Sequence, residues 1–304
     1  LDPYINETTR HAHIILPPTS PLEHDHYDLA FHGLAIRNTA RFNEAVFEKP
    51  DGALHDWEIF TELGKRVAAL QGIEAREQVP PAELIDNLLR AGNYSAASGH
   101  DAQLDLEKLR QNPSGVDLGP LQPALPQRLN GEAKVINCAV PACLDDLERA
   151  ALSIDDEAGL LLIGRRHVRS NNSWMHNYKR LVKGRDRSQL LMHPEDMRLR
   201  DIVDGAAVRI KSRVGAVQVT ALASKEMIPG AVCLPHGFGH QRDGVRLSVA
   251  GTLAGASMND LTDDADLDPI SGNAVLNGVR VEVVALDGKV SSTPAHSDEE
   301  TATV

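Results

Sequence analysis

The sequence predicts an α+β protein whose rear portion is a closed β-barrel. Three observations carry that reading. Beyond residue 189, short strand patterns alternate with tight turns and no long helical pattern intervenes. Ahead of them, two stretches, one from Asp56 and one after Pro80-Pro81, repeat apolar residues at helical spacing. The length of 304 residues suits two domains at ~150 residues each.

Composition narrows the class further. At 42% hydrophobic and 24% charged residues, the chain has the make-up of a soluble globular protein. Its formal charge of −12 argues against a general nucleic-acid binder, which needs surplus cations for phosphate. No apolar run approaches the ~20 residues of a membrane span. Three cysteines are too few for a disulfide scaffold or a cysteine-held iron–sulfur cluster. With five Phe, four Tyr and two Trp, any core must be aliphatic.

Taken in order, residues 1–50 read as loops with one extended run, His13-Ile14-Ile15-Leu16, closed by Pro17-Pro18. A helix from Asp56 to about Leu70 follows, with Asp56 as its cap and Phe60, Leu63, Val67 and Leu70 on its buried face. A second helix starts after Pro80-Pro81 and buries Leu84, Ile85, Leu88 and Leu89. Residues 92–132 read mainly as a long surface connection, with one weak helix at 101–111.

From 133 the texture changes. Lys134 to Asn137 reads as a strand and Pro141 to Leu152 as a short helix, before the continuous apolar strand Leu160 to Ile163 that ends at Gly164. Val208 and Ile210, then Val217, Val219 and Ala221, alternate with polar residues around a Ser212–Gly215 turn, the pattern of a hairpin. Ala231 to Leu234 and Val279 to Val284 are further strands. The domain boundary is expected at 150–158, in Asp155-Asp156-Glu157, giving domains 1–155 and 156–288 and a disordered tail 289–304. The chain opens at Leu1 with no Met or leader, and reads as a cut edge.

The sharpest local anomaly is Arg165 to Arg187. It holds eight of the 31 cations against Asp186 alone, a local charge of +7 in a molecule of −12. Asn171, Asn172, Ser173, Trp174, His176 and Asn177 are set among them. A loop that leaves an apolar strand with guanidiniums, amides, a hydroxyl and an indole suits an anionic ligand with a flat ring, such as a nucleotide. A bare charge run would instead be a solvated face.

Other clusters carry less. His11 and His13, His24 and His26, and His236 and His240 have metal-like spacing, but no helical H-E-x-x-H frames them, so no metal site is assigned. The Pro235 to His240 segment has two glycines that permit close backbone approach to a ligand, or else mark a barrel turn. Asp263, Asp264, Asp266 and Asp268 lack the spacing of a calcium loop and read as an acidic turn. Cys138, Cys143 and Cys233 read as apolar packing.

Several segments together resemble the C-terminal portion of the molybdopterin oxidoreductases, the bis-molybdopterin guanine dinucleotide enzymes that include formate dehydrogenases, nitrate reductases and dimethyl sulfoxide reductases. Glu7 to Pro17 resembles the family's E-T-A-x-x-A-D-x-x-L-P, and Asp56-Trp57-Glu58-Ile59 its D-W-x-I. Ile163-Gly164-Arg165 is similar to T-G-R. His193 to Asp196, Asp204 to Val208 and Gly230 to Val232 resemble its barrel signatures, while Asn259 to Thr262 and Asp268 to Gly272 resemble N-x-L-T and D-P-x-S-G. The series keeps its order over residues 1–285. Two stretches depart from the pattern: Asn172 to His176 replaces H-x-G-T-M-T, and Asn273 to Asn277 replaces P-x-x-K, which removes a lysine.

The resemblance implies a partial α/β region followed by a double-psi β-barrel-like domain that binds molybdopterin dinucleotide. It carries Gly164 and Arg165 over as cofactor-binding residues and places Asn259 near a pterin. Loop position adds Arg166, His167, Asn171, Asn172, Ser173 and Trp174, with His236 and Gly237 from the glycine-rich segment. The expected cofactor is bis-molybdopterin guanine dinucleotide with molybdenum or tungsten, for two-electron chemistry to which this piece contributes no catalytic residue. The molybdenum ligand and the iron–sulfur cysteines would lie upstream of Leu1, and the N-terminal remainder and an electron-transfer protein are the expected partners, in a cytoplasmic enzyme. The alternative is a non-catalytic dinucleotide-binding or scaffold module. A hydrolase built on His11, His13, His24 and His26 would instead require bound zinc.

Overall fold

The computed structural model describes residues 1–154 and 159–286, so the expected boundary triplet and tail lie outside the described residues. The chain divides into two compact units. One comprises residues 1–4 and 12–136, the other 5–11 and 137–304.

In the first unit, β1 (His26–Tyr27) pairs antiparallel with β3 (Phe42–Asn43), and β2 (Arg37–Ala40) with β4 (Val116–Pro120). Three helices accompany them: α1 (Asp56–Gln71), α2 (Pro81–Ala91) and α3 (Leu106–Gln111). The strands, α2 and α3 share a core of Ala40, Phe42, Leu104, Leu106 and Leu109, with Ile85 and Leu89 packed against it. Residues 92–132 are mostly exposed or half-buried connection, as expected, interrupted by α3 and β4 and burying Ser95, Leu104, Leu106 and Leu109. Asp105 caps α3 by accepting from Lys108 N at 2.8 Å, and that turn drives Leu106 and Leu109 inward.

The expected α1 is present, but its apolar face is not buried. Phe60, Leu63, Val67 and Leu70 are all exposed, whereas Ile59 and Ala68 are buried. Asp56 is the first helical residue rather than the cap. The cap is His55, whose N–H donates to the Glu58 carboxylate at 2.7 Å, and Gly72 closes the helix at φ 68°. In α2, Ile85 and Leu89 turn to the core but Leu84 and Leu88 stay exposed.

Two expected strands are absent. Ahead of His13–Leu16, Asn6 accepts from the Thr8 and Thr9 N–H groups, and this Asx turn opens the short 3-10 turn Thr9–His11. The run itself stays unpaired, with Ile14 78% exposed; only Pro18 bridges Leu54. At Lys134–Asn137 the backbone enters the left-handed region at Lys134, φ 47°, and Val135 and Ile136 face outward.

From residue 137 on, the second unit opens with α4 (Pro141–Ile154) and β5 (Leu160–Arg165). Then come α5 (Lys179–Val182), β6 (Leu190–Met192), α6 (Pro194–Arg198), β7 (Ala207–Lys211), β8 (Ala216–Ala223), β9 (Ala231–Pro235) and β10 (Val279–Ala285). Six strands close into a barrel in the order β10-β5-β9-β6-β8-β7. Closure removes free sheet edges and turns alternate side chains inward. Leu160, Leu162, Val208, Ile210, Val219, Val281 and Val283 obey that alternation and fill the interior.

β5, though apolar throughout, is half-buried, since Leu161 and Ile163 point outward. The β7–β8 hairpin forms as its alternation requires, with Ser212 N donating to Gly215 O at 2.9 Å across the turn. Pairing is mixed: β5–β9 and β6–β8 are parallel, the remainder antiparallel, a pattern that fits a double-psi barrel. No described helix is long and apolar enough to cross a membrane.

Candidate functional site

β5 and β9 run parallel with Arg165 opposite Pro235, so both chains leave the barrel at the same rim. That topology brings together two segments 70 residues apart in the sequence: the basic loop after Arg165 and the glycine-rich run after Pro235. The His236 N–H donates to the Arg165 carbonyl at 3.0 Å, continuing the ladder one step beyond the strands.

The rim is built from close backbone packing. A Cβ on Gly237, φ 91°, would lie 2.4 Å from the Asn172 carbonyl oxygen, and one on Gly239 would lie 2.6 Å from Ser257 N. These glycines let the chain approach its own backbone, so their role is visible without any ligand. At Gly164 a Cβ would meet the Met258 sulfur at 3.1 Å, which sets Asn259 one residue from this point on the turn Met258–Asp260. The Gly164 N–H donates to the Asn277 side-chain oxygen at 2.7 Å.

Within the loop, Asn171 and Asn172 both adopt positive φ, 41° and 63°. Asparagine tolerates that region, and the turn that results continues through Ser170–His176. Arg166 donates to the Asn172 side-chain oxygen, and Arg165 to the Arg187 carbonyl at 3.2 Å. Asn177 accepts from Val249 N and Ala250 N, anchoring the loop's far side. Trp174 remains 76% exposed, an open face for a ring to stack on.

The electrostatics follow from the composition. Among the described residues, none of the eight cations of 165–187 forms an ion pair, whereas Arg37, Arg90, Arg149, Arg213 and Arg242 each hold a carboxylate. His167 titrates below its ordinary range, first through burial and then through Arg187, Arg169 and Arg165. His236 shifts the same way, through burial and then Arg166. A cluster of unneutralised cations that disfavours further positive charge favours an anion.

The structure therefore gathers Gly164, Arg165, Arg166, Asn171, Asn172, Ser173, Trp174, His236, Gly237 and Asn259 around one end of the barrel, with His167 on the same loop. Sequence reasoning passed over Asn277, which appeared only as a residue of a stretch lacking the family's lysine. It also gave no role to Glu7 or to a His176–His240 contact, because neither pairing has a sequence signature. Among the described residues no group of three or more His, Cys, Asp or Glu side chains could hold a metal ion. A cavity of about 440 Å³ in the first unit, lined by His26, His32, Arg41 and Asp117 among others, contains none of the expected site residues.

Comparison with known proteins matches the stretch of chain that carries the barrel. Residues 160–280 match the family described as the molydopterin dinucleotide binding domain. The chain is 25% identical over 238 residues to a probable oxidoreductase, YoaE, of Bacillus subtilis (strain 168), covering 76% of this chain and 33% of that protein. The fold is similar to that of acetylene hydratase from Pelobacter acetylenicus, at a TM-score of 0.57 and 17% identity, covering 88% of this chain and 37% of the other. This chain thus spans about a third of the length of these two proteins.

Proposed function

We propose that this chain, whose residues 160–280 form a molybdopterin dinucleotide-binding domain, is the cofactor-binding C-terminal portion of a molybdenum- or tungsten-dependent oxidoreductase. The observation that carries this is the basic loop. Its eight cations have no carboxylate partners among the described residues, and it lies at a rim with an exposed indole. The bridging pyrophosphate of a dinucleotide is a dianion, and guanidiniums with backbone N–H groups are its natural counter-surface.

In this reading Arg165, Arg166 and the loop cations neutralise the phosphates of the guanine dinucleotide form. Trp174 supplies a stacking face, and Asn171, Asn172, Ser173 and Asn259 supply amides and a hydroxyl for ring edges. Gly164, His236 and Gly237 shape the rim, and His167 lies within the cation cluster. The metal, when bound, supplies the two-electron chemistry; this chain binds and orients its ligand. The metal's protein ligand, any iron–sulfur cluster and an electron-transfer partner belong to the remainder of the enzyme. We take the functional domain to be 156–288 and the compartment to be the cytoplasm.

Metal analysis and cofactor extraction of the full-length protein test the reading. Molybdenum or tungsten with a guanine dinucleotide is the expected result. Neither metal in a protein produced with both supplied would overturn it.

A further inference from the structure

Glu7, His176 and His240 come from three segments of the second unit and form one hydrogen-bonded chain. Nδ1 of His240 lies 2.7 Å from Oε1 of Glu7, and its Nε2 lies 2.8 Å from Nδ1 of His176. Both imidazoles are 3% exposed. The rings meet edge to face at 89°, and Phe238 packs on His176 with centroids 4.6 Å apart. Burying two imidazoles and tying them to a carboxylate is costly unless every group is satisfied. The aliphatic barrel core does not need them. What they join is the turn carrying Asn172 and Trp174, the glycine-rich segment and residues 5–11.

We propose that Glu7 and His240 are positioning residues that act through His176, holding the Ser170–Asn177 turn and its neighbouring cations in the form that receives an anionic dinucleotide. The ligand in this statement rests on the function proposed above; the geometry does not. Two nitrogens at 2.8 Å share one proton, so one ring must offer a lone pair there. With both rings protonated, two N–H groups would oppose each other and the contact would open. The charged groups facing the chain are Glu7 itself, Arg187 beside His176, and Arg242 beside Glu7. Arg187 disfavours a second positive charge, while Arg242 is already paired with Asp260.

The test uses the whole 304-residue chain in a Trp57→Phe background, which leaves Trp174 as the single indole. Guanosine 5′-diphosphate is the probe, followed by Trp174 fluorescence from about pH 5 to 8, a span that brackets the ordinary histidine range. Trypsin cleavage within 165–187, without nucleotide, is measured in parallel. Glu7→Gln and His240→Gln are expected to weaken binding about tenfold, as lost supporting contacts do. Both variants are expected to speed cleavage of the loop.

The parent protein should lose affinity on acidification, with a flatter profile in His240→Gln; a merely structural defect would lower affinity equally at every pH. Affinity and cleavage unchanged in both variants would overturn the proposal. If the parent binds no nucleotide, the ligand assignment fails, and cleavage alone decides the positioning role. If His240→Gln does not fold, Glu7→Gln decides, because it keeps the side chain's shape.

Discussion

The α-carbon of Gly237 and the carbonyl oxygen of Asn172 are so close that a Cβ would intrude to 2.4 Å. The two loops of the barrel rim are therefore fitted backbone to backbone, and the fit needs a glycine twice over. Residue 237 has φ 91°, where an L side chain is strained, and it has no room for a methyl group.

Gly237→Ala is accordingly expected to destabilise the second unit by about 2–4 kcal/mol, combining backbone strain with a forced loop displacement. Urea unfolding measures it. A loss below about 0.5 kcal/mol, the range of ordinary surface changes, would show that the rim is looser than described. Gly205→Ala, with positive φ but open space around it, serves as the control that isolates strain from collision.

Stability should fall on mild acidification. His176 has its pKa lowered to about 4, first by burial and then by the charge of His240. The unfolded chain takes up that proton near the ordinary value of 6.5, so the stabilisation is complete above that pH and is lost as pH falls toward 4. The contribution is on the order of 3 kcal/mol at most. Melting temperatures between those limits should drop in the parent and drop less in His176→Gln; identical slopes would refute the assignment.

Nucleotide binding at the rim should be strongly salt-dependent, because the cations of 165–187 have no carboxylate partner among the described residues to compete. Arg165→Gln is expected to weaken guanosine diphosphate binding by about 10–100-fold, the worth of one charge-assisted hydrogen bond. Calorimetry at low and high salt checks both. Affinity independent of salt would refute an electrostatic site.

Paired substitutions contrast the buried barrel core with the exposed apolar face of α1. Leu162→Ala removes a fully buried barrel side chain and should cost about 2–5 kcal/mol. Phe60→Ser alters a residue that is 63% exposed, and should change stability by less than about 0.5 kcal/mol. A large loss at Phe60 in the 304-residue chain would mean that α1 is covered after all.

Much of this was legible along the chain. The β7–β8 hairpin showed itself by alternation, α1 and α2 by spacing, and the basic loop by charge against its background. These are local properties, set by side-chain period and composition within ten or twenty residues. The errors share one cause. Phe60, Leu63, Val67 and Leu70 look buried because an apolar face implies a partner surface, and the period says nothing about where that surface is. His13–Leu16 looks like a strand because propensity cannot count unpaired neighbours. What only the tertiary structure decided is adjacency: the parallel register of β5 and β9 set Arg165 beside His236, the missing Cβ of Gly237 admitted Asn172, and Glu7 reached His240 across more than 200 residues. Sequence determines which faces and charges the chain must place. Chain closure, with its long-range pairings, determines which of them meet.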